Sequence, residues 1–280
     1  MDHSWWTRVR WTAARDPRIA ARGTPGPGGC DTPRVGLIET EAVVLRTLRY
    51  GESDTILTLL TPGLGRVSAI AKGARKSTSK MGGRLQPGVR LQMTLAEGRG
   101  DLTTLRSAQV LDAGSGLWVE GYRLIAAGSV LEVALRVASE REESEAAFNL
   151  VTRALALLAR APARAAAPRL DPVVLGMQVK LLAASGLVPR LASCASCGAS
   201  VPLVGFSPSA GGGVCVTCVG RSGAEPLDAG VADCLVALLA RPLSEAPECV
   251  TPEVAPGVER IATLMFREYL GVILRSAAPL

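Results

Sequence analysis

Between residues 37 and 111 the chain is cut into five short runs that suit β-strands and are too short for most helices. Residues 39–47 are rich in β-favouring side chains and end at the Tyr50-Gly51-Glu52 turn. Residues 54–61 mix Ile56 and leucines with threonine and stop at Pro62-Gly63. Residues 65–72 alternate: Val67, Ala69 and Ala71 share one face, Ser68, Ile70 and Lys72 the other. Residues 89–95 alternate again, with Val89, Leu91, Met93 and Leu95 inward, and residues 102–110 supply a fifth run. Five strands with one long irregular connection, about 73–88, predict a small closed barrel. On pattern alone an OB-fold is the first candidate and an SH3-like barrel the second.

From residue 113 to residue 280 the pattern becomes helical. Phe148, Val151, Leu155 and Leu158 mark one face of a helix opened by Ser144. Asp171-Pro172 places an N-cap and a first-turn proline before Val173, Val174, Met177 and Leu181, and Gly186 ends that helix. Asp228 caps a helix running to Leu239. Residues 256–275 form the last one, with Ile261, Leu264, Met265 and Phe266 facing the core. At roughly 100–200 residues per domain, the 280 residues suit two domains, 37–112 and 113–280. Residues 1–36 read as a disordered extension, because the Gly/Pro run at 23–29 holds neither helix nor strand. Trp5, Trp6 and Trp11 among its arginines have base-stacking chemistry, but an appendage is the simpler reading.

Charge is distributed unevenly. The net +6 divides into +8 on residues 1–111 and −2 on the remainder. From Val67 to Ala96 there is no acidic residue, and that window carries Lys72, Arg75, Lys76, Lys80, Arg84 and Arg90. Most charge runs are merely solvated loops. This one is long, uncompensated and set in a strand-rich segment, so phosphate is its natural partner. The barrel segment has a single aromatic, Tyr50, against eleven basic residues, which favours phosphate contact over base stacking. The expected nucleic-acid contacts are Lys72, Arg75, Lys76, Lys80 and Arg84, then Arg66, Arg90 and Tyr50.

The single histidine, His3, closes off much catalysis. Ser-His-Asp and Cys-His systems need a positioned imidazole, and a zinc deaminase needs an H-x-E beside its cysteines. The string from Lys72 to Ser77 lacks the glycine that precedes the P-loop lysine, so no nucleotide cofactor is expected. No run of about 18 apolar residues and no signal-peptide core is present, so the expectation is a cytoplasmic protein without membrane attachment.

Four of the seven cysteines form one pattern: Cys194-x-x-Cys197 and Cys215-x-x-Cys218, seventeen residues apart. This is zinc-ribbon spacing. Four thiolates complete a tetrahedron and leave no open position, so the expected site is one structural Zn²⁺ in a knuckle over residues 190–221. A rubredoxin-like iron, disulfides or a metal-free remnant are the alternatives. Cys234 reads as core; Cys30 and Cys249 have no partner spacing.

The combined order is a basic five-strand barrel, an Ala/Leu helical domain and an inserted four-cysteine knuckle. It resembles the bacterial RecO family of recombination mediators. The resemblance is carried by the stretches 41–46, 50–54, 59–62, Gly65-Arg66, 72–76, 82–87 and 99–102, and more loosely by the cysteine pairs and helix order. It does not extend to residues 1–36, and the knuckle marks a zinc-bearing branch. The resemblance implies an α+β protein whose N-terminal barrel is an OB-fold. It implies a non-enzymatic protein that binds single- and double-stranded DNA, anneals strands, and works with RecR and the single-stranded-DNA-binding protein to load RecA. It also implies association with the bacterial nucleoid. The rival reading is an RNA-binding OB-fold and zinc-ribbon factor of transcription or translation.

Overall fold

The computed structural model describes residues 36–77, 79, 81–98, 102–162 and 167–274. The N-terminal extension with Cys30, residue Lys80 and residues 99–101 lie outside them. Five strands form the first part: β1 (Leu37–Tyr50), β2 (Asp54–Thr61), β3 (Gly65–Ala71), β4 (Arg90–Ala96) and β5 (Leu102–Asp112). They close into a barrel in the order β1-β2-β3-β5-β4, with β4 pairing back onto β1. Every pairing is antiparallel except β3 with β5. That Greek-key closure is the OB-fold arrangement and removes the SH3-like alternative. The alternation read from the sequence is the inside of the barrel: Val67, Ala69, Ala71, Leu91, Met93 and Leu95 are all buried.

β1 serves two cores. Ala42 and Val44 point into the barrel beside Leu57 and Leu59. Val43 and Leu45 point the other way and, with Leu60, join the core of the helical part. A bulge at Leu45 carries the register from Val44↔Leu59 to Arg46↔Thr58. Such a bulge re-aims the side chains that follow it. By register Thr47, opposite Leu57, and Arg49, opposite Thr55, therefore lie on the face that lines the barrel, Arg49 exposed at its rim, while Arg46, Leu48 and Tyr50 lie on the other face. The strand also runs to Tyr50, past the expected end at Thr47.

The helical part contains α1 (Gly121–Val137), α2 (Glu145–Leu158), α3 (Pro172–Ala184), α4 (Val216–Val219), α5 (Ala229–Ala240), α6 (Ala246–Cys249) and α7 (Ala255–Leu270). α3 is buried nearly all round, as expected of a central helix. Asp171 caps it, its carboxylate accepting from the Val173 N–H at 2.8 Å and from the Tyr122 hydroxyl at 3.0 Å. Gly176 has no Cβ to obstruct Ala246 and Leu243, which would lie 3.0 Å from one. α3 ends where the sequence places its end, with Gly186 at φ +80°. The last helix is shorter than expected: it stops at Leu270, where Gly271 adopts φ +62° and donates to the Arg267 carbonyl. The described residues cluster as one unit, and barrel and helices share apolar contacts within it. No helix among the described residues is long and apolar enough to cross a membrane.

Between α3 and α5 lies a small sheet in the order β7-β6-β8, made by β6 (Leu203–Ser207), β7 (Gly212–Cys215) and β8 (Glu225–Pro226). Gly212 sits so close to Arg190 that a Cβ would lie 2.2 Å from its carbonyl oxygen. This contact lets the chain entering the cysteine turn pack edge-on against β7.

Candidate nucleic-acid interface and metal centre

The long connection between β3 and β4 folds over the mouth of the barrel. Ala74, Leu85 and Val89 plug the mouth and are buried with the barrel core. The first leg is tied to the β1–β2 turn: the Gly73 N–H donates to Asp54 Oδ1 at 2.7 Å, and the Arg75 N–H to the Ser53 carbonyl at 2.9 Å. Gly82 lies where a Cβ would meet the Ala74 carbonyl at 2.6 Å, so the return leg can close on the first. The outcome is a groove of about 570 Å3 lined by Arg49, Arg75 and Lys76, with Thr47, Thr55 and Ser79 among its other walls. No carboxylate among the described residues lines it. Three cations converging on a concave, hydroxyl-bearing surface suit a phosphate chain.

The basic residues singled out in the sequence are placed differently from one another. Arg75 and Lys76 line the groove and are exposed. Arg75 Nη2 is steadied by the Gly51 carbonyl at 2.6 Å. Lys72 and Arg84 are exposed on the same connection, and Tyr50 is exposed at the end of β1. Lys80 lies outside the described residues. Arg66 and Arg90 are engaged within the protein instead. Arg66 donates to the Leu135 carbonyl at 2.6 Å and to Glu140 Oε1 at 2.8 Å. Arg90 donates twice to Glu41 Oε2, at 2.6 and 3.0 Å. Both guanidinium groups thus spend part of their donors on protein oxygens. Conversely, Arg49 is absent from the sequence-based set. Only the bulge and the longer β1 bring it to the mouth, and neither leaves a mark in the sequence.

The candidate metal centre is assembled from two short turns. In the first, the Gly198 N–H donates to the Cys194 carbonyl at 2.8 Å and the Cys194 N–H to the Ala199 carbonyl at 2.9 Å; Gly198 has φ +78°. In the second, Cys215 ends β7 and caps α4, which carries Cys218. All four sulfurs lie within 4.8 Å of one another. Cys197 Sγ and Cys215 Sγ are 3.9 Å apart. A tetrahedral zinc site with four sulfurs at about 2.3 Å has S···S edges of about 3.8 Å, whereas a disulfide needs about 2.05 Å. The donor set therefore fits one tetrahedral, thiophilic ion. Cys194, Cys215 and Cys218 are buried and Cys197 is exposed.

Backbone dipoles prepare the site for thiolates. N–H groups of Cys197 and Cys215 hold the Cys194 thiol down at about 6, and the Cys215 N–H reaches Cys194 Sγ at 3.4 Å. Cys215 is also lowered: burial opposes its thiolate, but the N–H groups of Cys218 and Thr217 prevail. Cys218 is pushed up to about 11; the Ser196 hydroxyl favours its thiolate, but Cys197, burial and the other sulfurs oppose it more. Four clustered thiols cannot all ionise without a cation among them, so the arrangement suits a bound metal ion. Of the remaining cysteines, Cys234 is buried as its sequence context predicts, and Cys249 is half-buried.

Two family models match the chain across these parts. The Recombination protein O N-terminal model covers residues 35–113, and the Recombination protein O C-terminal model covers residues 120–278. The chain is 39% identical over 238 residues to the DNA repair protein RecO of Nocardioides sp. (strain ATCC BAA-499 / JS614), covering 82% of this chain and 91% of the relative. It is 37% identical over 205 residues to that of Anaeromyxobacter dehalogenans (strain 2CP-C), covering 72% and 78%. With that of Rubrobacter xylanophilus the identity is 36% over 218 residues, covering 76% and 84%.

Proposed function

The chain belongs to the RecO family of DNA repair and recombination proteins, and from that premise we propose that it is a DNA-binding, strand-annealing mediator. The observation that carries the proposal is the groove of Arg49, Arg75 and Lys76 at the barrel mouth, lined by no carboxylate among the described residues. Cations in such a groove hold phosphates without reading sequence, with affinity set by counterion release. Base edges then stay free to pair, which is what annealing requires. Lys72 and Arg84 are exposed on the same connection and Tyr50 at the end of β1, so these side chains are accessible to the same strand.

The role needs no bond-making chemistry, and with His3 as the only histidine the protein acts as a binder rather than an enzyme. Its partners are single- and double-stranded DNA, the RecR ring and the single-stranded-DNA-binding protein, and its product is DNA ready for RecA. It works on the chromosome, in the bacterial cytoplasm. The Cys194/Cys197/Cys215/Cys218 site holds one structural Zn²⁺, which supplies folding free energy to a segment too small and glycine-rich to hold itself.

One experiment tests the reading. Complementary strands coated with single-stranded-DNA-binding protein are mixed with the full chain over a salt series, and zinc is measured on the same sample. The expected result is annealing well above the spontaneous rate, falling as salt rises. Annealing at background rate together with salt-insensitive DNA binding would sink it.

A further inference from the structure

The barrel is poor in aromatics, yet the helical part delivers one to its groove. Trp118 closes a 3-10 turn, Ser115–Trp118, just ahead of α1. That turn is held firmly. Leu117 is buried, and Gly116 packs where a Cβ would lie 2.3 Å from the Ala159 carbonyl. Arg123 Nη1 bridges the carbonyls of Gly116 and Ala159 at 3.2 and 2.9 Å. Trp118 itself is 47% exposed. It borders a trough of about 380 Å3 between α1 and the chain at Gln86–Gly88, floored by Leu117, Leu124 and Leu131. Thr47 and Gln86 line both this trough and the cationic groove, so the two depressions adjoin.

A lone exposed apolar residue needs no explanation. A rigidly mounted indole at an apolar trough, next to a cluster of cations, has the composition of a single-strand site: charge for the backbone and a flat ring for a base. We infer that Trp118 stacks an unpaired base of single-stranded DNA whose phosphates lie on Arg49, Arg75 and Lys76. The occupant follows from charge complementarity, since a polyanion carrying flat apolar groups suits both depressions together. Stacking engages the face of a base and leaves its pairing edge free, so the contact is compatible with annealing. This inference rests on the proposed DNA interface and adds a contact specific to unpaired bases.

The test uses the full chain with Trp118→Ala and Trp118→Phe. Binding is measured over a salt series to an oligothymidylate, to the same oligomer with abasic sites, and to a duplex. Trp118→Ala is expected to weaken oligothymidylate binding about five- to 100-fold at every salt concentration with an unchanged salt slope. Trp118→Phe should retain most of the affinity. Abasic and duplex DNA should not distinguish the variants. Equal oligothymidylate affinity for wild type and Trp118→Ala overturns the stacking inference, and the interface reading then survives if Arg75→Glu/Lys76→Glu still flattens the salt slope. Wild-type protein whose DNA binding ignores salt overturns both.

Discussion

Arg66, on the barrel, donates to the carbonyl of Leu135, in the last turn of α1, at 2.6 Å. That carbonyl is among those a helix leaves without an internal partner, so a barrel side chain completes the helix end. Neighbouring backbone strengthens the join: the Arg66 N–H donates to the Ser139 carbonyl at 2.9 Å, and the Ser144 N–H to the Pro62 carbonyl at 2.9 Å.

Arg66→Ala is expected to destabilise the protein by about 2 kcal/mol, as a partly buried charged hydrogen bond is removed. Glu140→Ala should cost under about 1 kcal/mol, since the Glu140 carboxylate is 69% exposed and its ion pair is screened. Chemical denaturation of both variants checks the ordering. Equal costs would show that the exposed ion pair, and not the helix-end bond, is what matters.

Charge reversal of Lys72, Arg75 and Lys76 together should weaken DNA binding and flatten its salt dependence. Each duplex phosphate that is no longer neutralised takes about 0.9 off the log–log slope. Arg49→Glu should act in the same direction. Arg90→Gln should leave the slope alone, because Arg90 is already bound to Glu41. Affinities measured between low and moderate salt decide the matter.

Zinc analysis of the purified chain should return one ion, and Cys194→Ser should abolish it. Chelation should loosen the segment around residues 190–226, seen as faster amide exchange there, while barrel binding of DNA persists. Loss of DNA binding with an intact exchange pattern would instead place the metal in the interface.

Lys180 offers a pH test. Burial lowers its pKa, against the opposing attraction of Cys249. A lysine so lowered carries more protons in the unfolded chain, so folding bears a penalty at neutral pH. The penalty fades as pH rises through the folded value and is gone above the usual lysine value of about 10.4. Lys180→Met should therefore be the more stable protein at pH 7, by a small margin because the half-exposed ammonium is still screened by solvent. The gap should narrow towards the top of that range. A gap constant with pH in paired denaturation curves would assign the effect to packing.

Local patterns carry much of this structure in the sequence. Alternation in β3 and β4 marks the barrel interior, Asp171-Pro172 marks the start of α3, and the cysteine spacing marks the metal turns. Each of these is decided by residues close together in the chain. What the patterns miss is decided at long range. Arg66 reads as one more cation because its acceptors lie 69 and 74 positions away. Gly65 has φ +56° and a Cβ there would lie 2.2 Å from the Glu142 carbonyl, a constraint that exists only once barrel and helices meet. Arg49 reaches the groove through a bulge with no composition of its own. Trp118, just outside the barrel segment, reads with the helices although it borders the trough that adjoins the groove.

The two-sided packing of β1 gives the molecule a built-in pair of gauges. Val43 and Val44 are adjacent in the chain and equally buried, yet each belongs to a different core. A methyl group removed at one is felt first by the helices, and at the other first by the barrel. Since both losses act on a single strand, neither half can loosen without pulling on the wall it holds in common with the other. An excised barrel would leave Val43, Leu45 and Leu60 facing water, a sticky stripe inviting a second copy in place of the missing helices.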